Sequence, residues 1–156
     1  MRKSAFVFLL LLLASPLLRA QQAKSCTVDA GDKEKAVAAV RNMYAALTRG
    51  DQPGTQAFFT TDNGFFDLGK EYTADAIINE IRDLQSKGNT FAWTVNNPTV
   101  ILDCHSAFIE YTNVGSLTTG GKVIPLKWLE SVYLIKDQGA WKIRFFHSTQ
   151  AAEEKQ

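Results

Sequence analysis

The sequence predicts an α+β domain in which three helices pack on a strongly curved antiparallel sheet, giving a cone with an internal pocket. Two changes of period carry this reading. Apolar residues recur at helical spacing in the first half of the chain, and from Phe91 onward they alternate with period two. No internal repeat or low-complexity linker divides the 156 residues, and 46% apolar with 21% charged residues is enough to bury one sizeable core. Helices that precede a long meander suit a layered fold with the helices on one face of the sheet.

In order along the chain, residues 1–20 read as a targeting segment. Arg2 and Lys3 precede an apolar run from Ala5 to Ala14, Pro16 breaks it, and Ala20 offers a small residue before a cut. That run is half of the ~20 residues a membrane-spanning helix needs, so a secretory leader is expected, with a periplasmic or secreted product. Its removal would take away three positive charges and no negative ones, moving the formal charge from +1 to −2. No later segment is apolar enough to span a membrane. The folded domain is expected over residues 27–150, with a polar tail at 151–156.

Asp29 and Asp32 are candidate caps for the first helix, in which Ala36, Val40, Met43, Tyr44 and Leu47 share one face and which ends near Gly50. Gln52-Pro53 starts a short second helix with Ala57, Phe58 and Phe59 at its apolar end. Asp62-Asn63-Gly64 reads as a turn before a short strand, Phe65–Leu68. Thr73 caps a third helix carrying Ile77, Ile78, Ile81 and Leu84, which Gly88 stops. The strands are expected at Phe91–Val95 continuing through Thr99–Leu102, then Ala107–Leu117, Val123–Lys136 and Ala140–Thr149.

Near-neutral charge gives no broad basic surface, so bulk nucleic-acid binding is excluded. Asp103, Cys104, His105 and His147 have no metal-ligand spacing, so no metal is expected, and no cofactor motif is present. Gly115 to Lys122 is glycine-rich but reads as a hairpin turn, because no helix follows it. Cys26 and Cys104 either pair in an oxidising compartment or remain separate thiols. A bridge would close a loop of nearly eighty residues, worth ~4–5 kcal/mol in the chain-entropy model.

The blocks Tyr44-Ala45-Ala46-Leu47-Thr48-Arg49-Gly50-Asp51, Ala57–Asp62, Phe65-Phe66-Asp67 and the final strand Gly139–Ser148 resemble the nuclear transport factor 2-like superfamily. The resemblance covers about residues 30–150. It includes ketosteroid isomerases, SnoaL-like cyclases and exported domains without a known role, so it speaks to fold more than to activity. In the isomerase comparison Asp67 falls on the family's general base. The family's oxyanion-hole tyrosine falls on Met43, beside Tyr44, and its protonated acid falls near Ser131. One of the three groups is matched, so steroid isomerisation is not implied.

Asp67 therefore has two readings, a base in an apolar pocket or an exposed turn residue before Gly69. A three-residue hairpin loop Asp137-Gln138-Gly139 would put Trp141, Ile143, Phe145 and His147 on the inner face with Ile135, Tyr133, Ser131 and Leu129. On that register His147 is either an acid–base partner of Asp67 or a satisfied core residue. Tyr44, Phe65, Ser131 and Tyr133 then become candidate ligand contacts. The opposite face, with Trp128, Val132, Leu134 and Phe146 at its centre, is expected to form a homodimer. The expected ligand is a small hydrophobic molecule, held either by a binding module or by a cofactor-independent isomerase, cyclase or dehydratase using Asp67.

Overall fold

A computed structural model describes residues 27–152. The leader at 1–20, Cys26 and the end of the polar tail lie outside the described residues. Helix α1 (Asp32–Thr48) begins behind Gly31, whose φ of 91° is open to glycine. Neither Asp29 nor Asp32 caps it. The Asp32 carboxylate is buried and accepts instead from Lys136 Nζ at 2.9 Å and from the Asp29 amide at 3.2 Å, because a full positive charge binds it more strongly than helix amides do. Helix α2 (Gln52–Gln56) is capped by Asp51, whose side chain accepts from the Gly54 amide at 2.9 Å.

Strand β1 (Phe59–Asp67) runs straight through the turn expected at residues 62–64. It pairs in parallel with the last strand, Phe59 opposite Ile143 and Gly64 opposite Phe145, with an irregular stretch between. Pairing with β6 on either side of this stretch overrides the local turn preference. Phe59 thus opens a strand and does not end α2. Strand β2 (Lys70–Tyr72), not foreseen, folds back on β1 through Leu68-Gly69, both left-handed at φ 48° and 75°, the conformation of a two-residue hairpin turn. Helix α3 (Ala74–Ser86) follows, with the Thr73 hydroxyl accepting from the Ala76 amide as expected.

Four long strands complete the sheet: β3 (Thr90–Leu102), β4 (Ser106–Thr119), β5 (Lys122–Asp137) and β6 (Ala140–Gln150). The order is β2-β1-β6-β5-β4-β3, antiparallel except for β1 against β6, and the sheet does not close. Two irregularities bend it. Asn97, at φ 49°, and Pro98 interrupt the β3–β4 ladder between Asn96 and Thr99, and Arg144 is inserted between the pairs Ile143–Leu134 and Phe145–Tyr133. The three helices cover the concave face, where Val40, Ile109, Val132, Leu134, Ile143 and Phe146 form the centre of the core.

The β5–β6 hairpin corrects the expected register. Its loop has two residues, Gln138-Gly139 at φ 49° and 83°, so Asp137 pairs with Ala140 and every β5 side chain changes face relative to the expected pairing. Arg144 then shifts the phase of β6 as well. The concave face consequently carries Glu130, Val132, Leu134, Phe146 and Ser148, while Leu129, Ser131, Tyr133, Phe145 and His147 point to the convex side. The dimer face expected around Trp128, Val132, Leu134 and Phe146 is therefore the inside of the cone. Gly115, opposite Trp93, is required by close packing: a Cβ there would lie 2.0 Å from the Ala92 carbonyl oxygen and 3.2 Å from the Trp128 ring.

Candidate functional site

Between the helices and the concave sheet lies a cavity of about 280 Å³. Its walls are apolar: Leu47 from α1, Ile77, Ile81 and Leu84 from α3, and a run of rings from the sheet and α1. Phe65 stacks on Phe146 at 4.5 Å, Phe146 meets Tyr44 edge-on at 6.3 Å, Tyr44 stacks on Trp93 at 5.5 Å and Trp93 on Phe91 at 5.1 Å. Strand alternation produces this surface, since Phe91 and Trp93, and likewise Phe146 and Ser148, are two residues apart on one face.

The polar groups that the sheet contributes at its centre form one row, and Thr55, Glu80 and Gln150 add others at the edges. Asp67 of β1 is opposite Ser148 of β6, Ser148 opposite Glu130 of β5, and Glu130 opposite Tyr111 of β4. Glu130 is 6% exposed and holds the centre of a hydrogen-bond cluster. The Tyr44 hydroxyl lies 2.8 and 2.7 Å from its two oxygens and shares one proton between them, Asn113 Nδ2 donates at 3.2 Å, and the Ser148 hydroxyl donates at 3.3 Å. Tyr111 is near enough to influence this carboxyl without a hydrogen bond of ordinary geometry. Asn113 is itself fixed, its carbonyl accepting from the Thr94 amide at 3.0 Å.

Burial pushes the Glu130 carboxyl up to about 7, against the pull of the donors from Tyr44, Asn113 and Ser148. Tyr44 and Tyr111 are pushed well above the ordinary phenol value, first by burial and then by neighbouring groups including Glu130, so both stay protonated. Asp67 is half-buried at the end of β1. Burial raises its carboxyl above the ordinary value, Glu80 adds to that, and Ser148 and the Leu68 amide pull the other way. Its buried Oδ1 has no hydrogen-bond partner.

Of the residues expected at the site, Tyr44, Phe65 and Asp67 line the cavity. His147, Ser131 and Tyr133 do not: the corrected register and the Arg144 bulge turn them outward, His147 is exposed, and its Nε2 lies 3.3 Å from the Thr149 hydroxyl. His147 and Asp67 thus form no acid–base pair within the cavity. Glu130, Asn113, Tyr111, Ser148 and Trp93 were not foreseen. A signal for Glu130 exists in the sequence, because Glu130, Val132 and Leu134 alternate on one face as a single acid among apolar residues. Among the described residues, no group of three or more His, Cys, Asp or Glu side chains is placed to hold a metal ion. No described helix is long and apolar enough to cross a membrane.

No family model matches this chain, and no curated protein matches it. Its architecture does match solved structures. A proposed dehydratase of the NTF2-like family from Streptomyces avermitilis superposes with a TM-score of 0.69 at 12% identity, covering 78% of this chain and 97% of that one. A ketosteroid isomerase-like protein from Erwinia carotovora atroseptica gives 0.62 at 20% identity over 78% and 97%. The S. rosetta CaMKII hub gives 0.66 at 17% identity over 80% and 100%. The chain therefore has the NTF2-like fold. At these identities the match defines a fold, and the particular chemistry rests on the cavity described above.

The raised Glu130 carboxyl has a consequence for stability. Its folded value, about 7, lies above the ordinary 4.5, so between these the folded state holds a proton that the unfolded state has lost. Stability contributed by this group is then full below about 4.5 and declines as pH rises toward 7, with a slope of at most ~1.4 kcal/mol per pH unit. Glu130→Gln cannot titrate. Urea unfolding across this range should show the wild type losing stability relative to the variant; a pH-independent difference would contradict the assignment.

Proposed function

We propose that this domain binds a small, mainly apolar molecule in the cone, and that binding is its principal activity. The observation that carries this is the make-up of the cavity: stacked rings and aliphatic side chains form most of the walls, with few polar groups among them, chiefly the row Asp67, Ser148 and Glu130. A concave apolar site with few convergent polar groups is the usual form of a small-molecule site. Binding is favoured over catalysis because the donors are already committed. Tyr44 and Ser148 donate to Glu130, and the Thr55 hydroxyl donates to the Asp51 carbonyl at 2.8 Å, so none of these hydroxyls is free to stabilise a developing oxyanion.

One observation favours a second reading, a cofactor-independent isomerase, cyclase or dehydratase. Asp67 combines a burial-raised carboxyl with a vacant oxygen at the cavity edge, which is what a general base requires. Solved structures of this fold include proteins described as dehydratase and ketosteroid isomerase-like. In this reading Asp67 removes a proton and a protonated Glu130 replaces the acid expected near Ser131.

We further propose that the chain is exported after loss of residues 1–20, with Cys26 joined to Cys104. Asp29 Oδ2 is 3.6 Å from Lys136 Nζ, and the Lys136 amide donates to the His105 carbonyl at 2.8 Å. Residue 29 is thereby held beside the turn containing Cys104, and three residues of chain reach up to ~10 Å. Self-association is proposed through the convex face, where Leu129, Tyr133 and Phe108 are 56%, 38% and 38% exposed.

Two measurements test these readings. Ile81→Trp should fill the cavity and reduce binding of an apolar fluorescent probe by about tenfold or more while circular dichroism stays unchanged; undiminished binding would place the ligand elsewhere. Intact mass of exported protein, native and denatured, should give a dimer of chains starting near Gln21, each two hydrogens lighter than the reduced form. A retained leader, reduced cysteines or a monomer would each remove the corresponding proposal.

A further inference from the structure

The cavity has an uneven charge complement. Asp67, Glu80 and Glu130 line it, and no lysine, arginine or histidine does. Burial first, and then Glu80 through like-charge repulsion, raise the Asp67 carboxyl; His147, outside the cavity, pulls it the other way. Among the described residues that line the cavity, the one buried polar atom without a partner is an acceptor. The hydroxyls of Tyr44, Thr55 and Ser148 are donated to protein acceptors, whereas Asp67 Oδ1 is a buried acceptor without a donor. A ligand that completes this site must therefore bring a hydrogen-bond donor, and the three acids favour a positively charged one.

We infer that the cavity takes an organic amine in its protonated form, with the apolar body among the stacked rings and the ammonium group directed to Asp67 and Glu80. This rests on the binding reading above and names its ligand class. The ammonium would supply the missing donor to Asp67 Oδ1 and lie between two like charges. Carboxylate ligands of equal size are disfavoured by those acids. A neutral alcohol supplies a donor without charge and falls between the two. The volume of about 280 Å³ equals about nine waters at ~30 Å³ each, which fits an arylalkylamine of modest size.

The test uses three molecules of the same body: phenethylamine, phenethyl alcohol and hydrocinnamate. Each is titrated into the full-length mature protein by calorimetry at one ionic strength. Phenethylamine should bind about tenfold or more tightly than the alcohol, the scale of one charge-assisted hydrogen bond, and hydrocinnamate should bind most weakly. Asp67→Asn should lower the affinity for the amine several-fold and leave that for the alcohol nearly unchanged. Glu80→Gln, on an exposed helical position that does not threaten folding, should act in the same direction. If the alcohol or the carboxylate binds as tightly as the amine, the amine inference fails and the apolar pocket survives. Equal loss of amine and alcohol in both variants also overturns it, since the acids would then act on the pocket and not on charge. If none of the three binds at millimolar concentration, the pocket reading falls together with the inference.

Discussion

The buried carboxyl of Glu130 is the constraint around which the concave side of this domain is arranged. An ionised carboxylate removed from water without partners is costly enough that it protonates instead. Here it receives donors from three directions: Tyr44 on α1, Asn113 on β4 and Ser148 on β6. These contacts tie the first helix to the middle of the sheet at a defined height, and they leave the space beyond Tyr44 unfilled. Satisfying the acid and keeping a hollow beside it are therefore one structural arrangement. The same contacts consume the hydroxyl donors of Tyr44 and Ser148.

Sheet curvature supplies the rest of the enclosure. The interruptions at Asn97-Pro98 and at Arg144 each insert residues into one strand, which bends that strand and changes which side chains face inward. Without the second, His147 would lie inside and Ser148 outside, and Glu130 would lose one donor. Arg144 itself pairs with Asp62 on the neighbouring strand, so the inserted residue has a charged partner across the β1–β6 junction. At the opposite end of α1, the buried Asp32–Lys136 pair fastens the helix to β5, and Lys136 also lies over the Trp141 ring at 5.6 Å. The helix is thus held to one strand by an ion pair near one end of its buried face and by the Tyr44–Glu130 hydrogen bond near the other.

Much of the fold was legible because it depends on periodicity. The heptad-like spacing of Val40, Met43, Tyr44 and Leu47, the cap at Thr73, the stop at Gly88 and the alternation from Phe91 onward all express local rules that the tertiary structure keeps. Tyr44, Phe65 and Asp67 line the cavity, although for Asp67 the residues alone left pocket and turn open and the resemblance supplied the pocket reading. The site was less legible because the faces of β5 and β6 depend on two single-residue facts. A loop of two residues in place of three reverses β5, and an inserted Arg144 shifts β6. The sequence Arg144-Phe145-Phe146-His147 offers an aromatic residue in either phase, so patterning alone does not reveal the insertion. The expected register consequently put Glu130 on the outer face with Val132 and Leu134, and His147 on the inner one. The strand β1 was shortened for a different reason: Asp62-Asn63-Gly64 has strong turn chemistry, yet its neighbour β6 holds it in the sheet.

The most direct test of this account is the titration of Glu130 itself. Carbon NMR of protein labelled at glutamate side-chain carboxyls, with Glu130→Gln used to assign the resonance, reports its midpoint without reference to any ligand. The account predicts a midpoint near 7, well separated from the exposed glutamates. A midpoint at the ordinary value of 4.5 would mean that Glu130 is solvated, and would contradict the buried cluster on which the cavity depends.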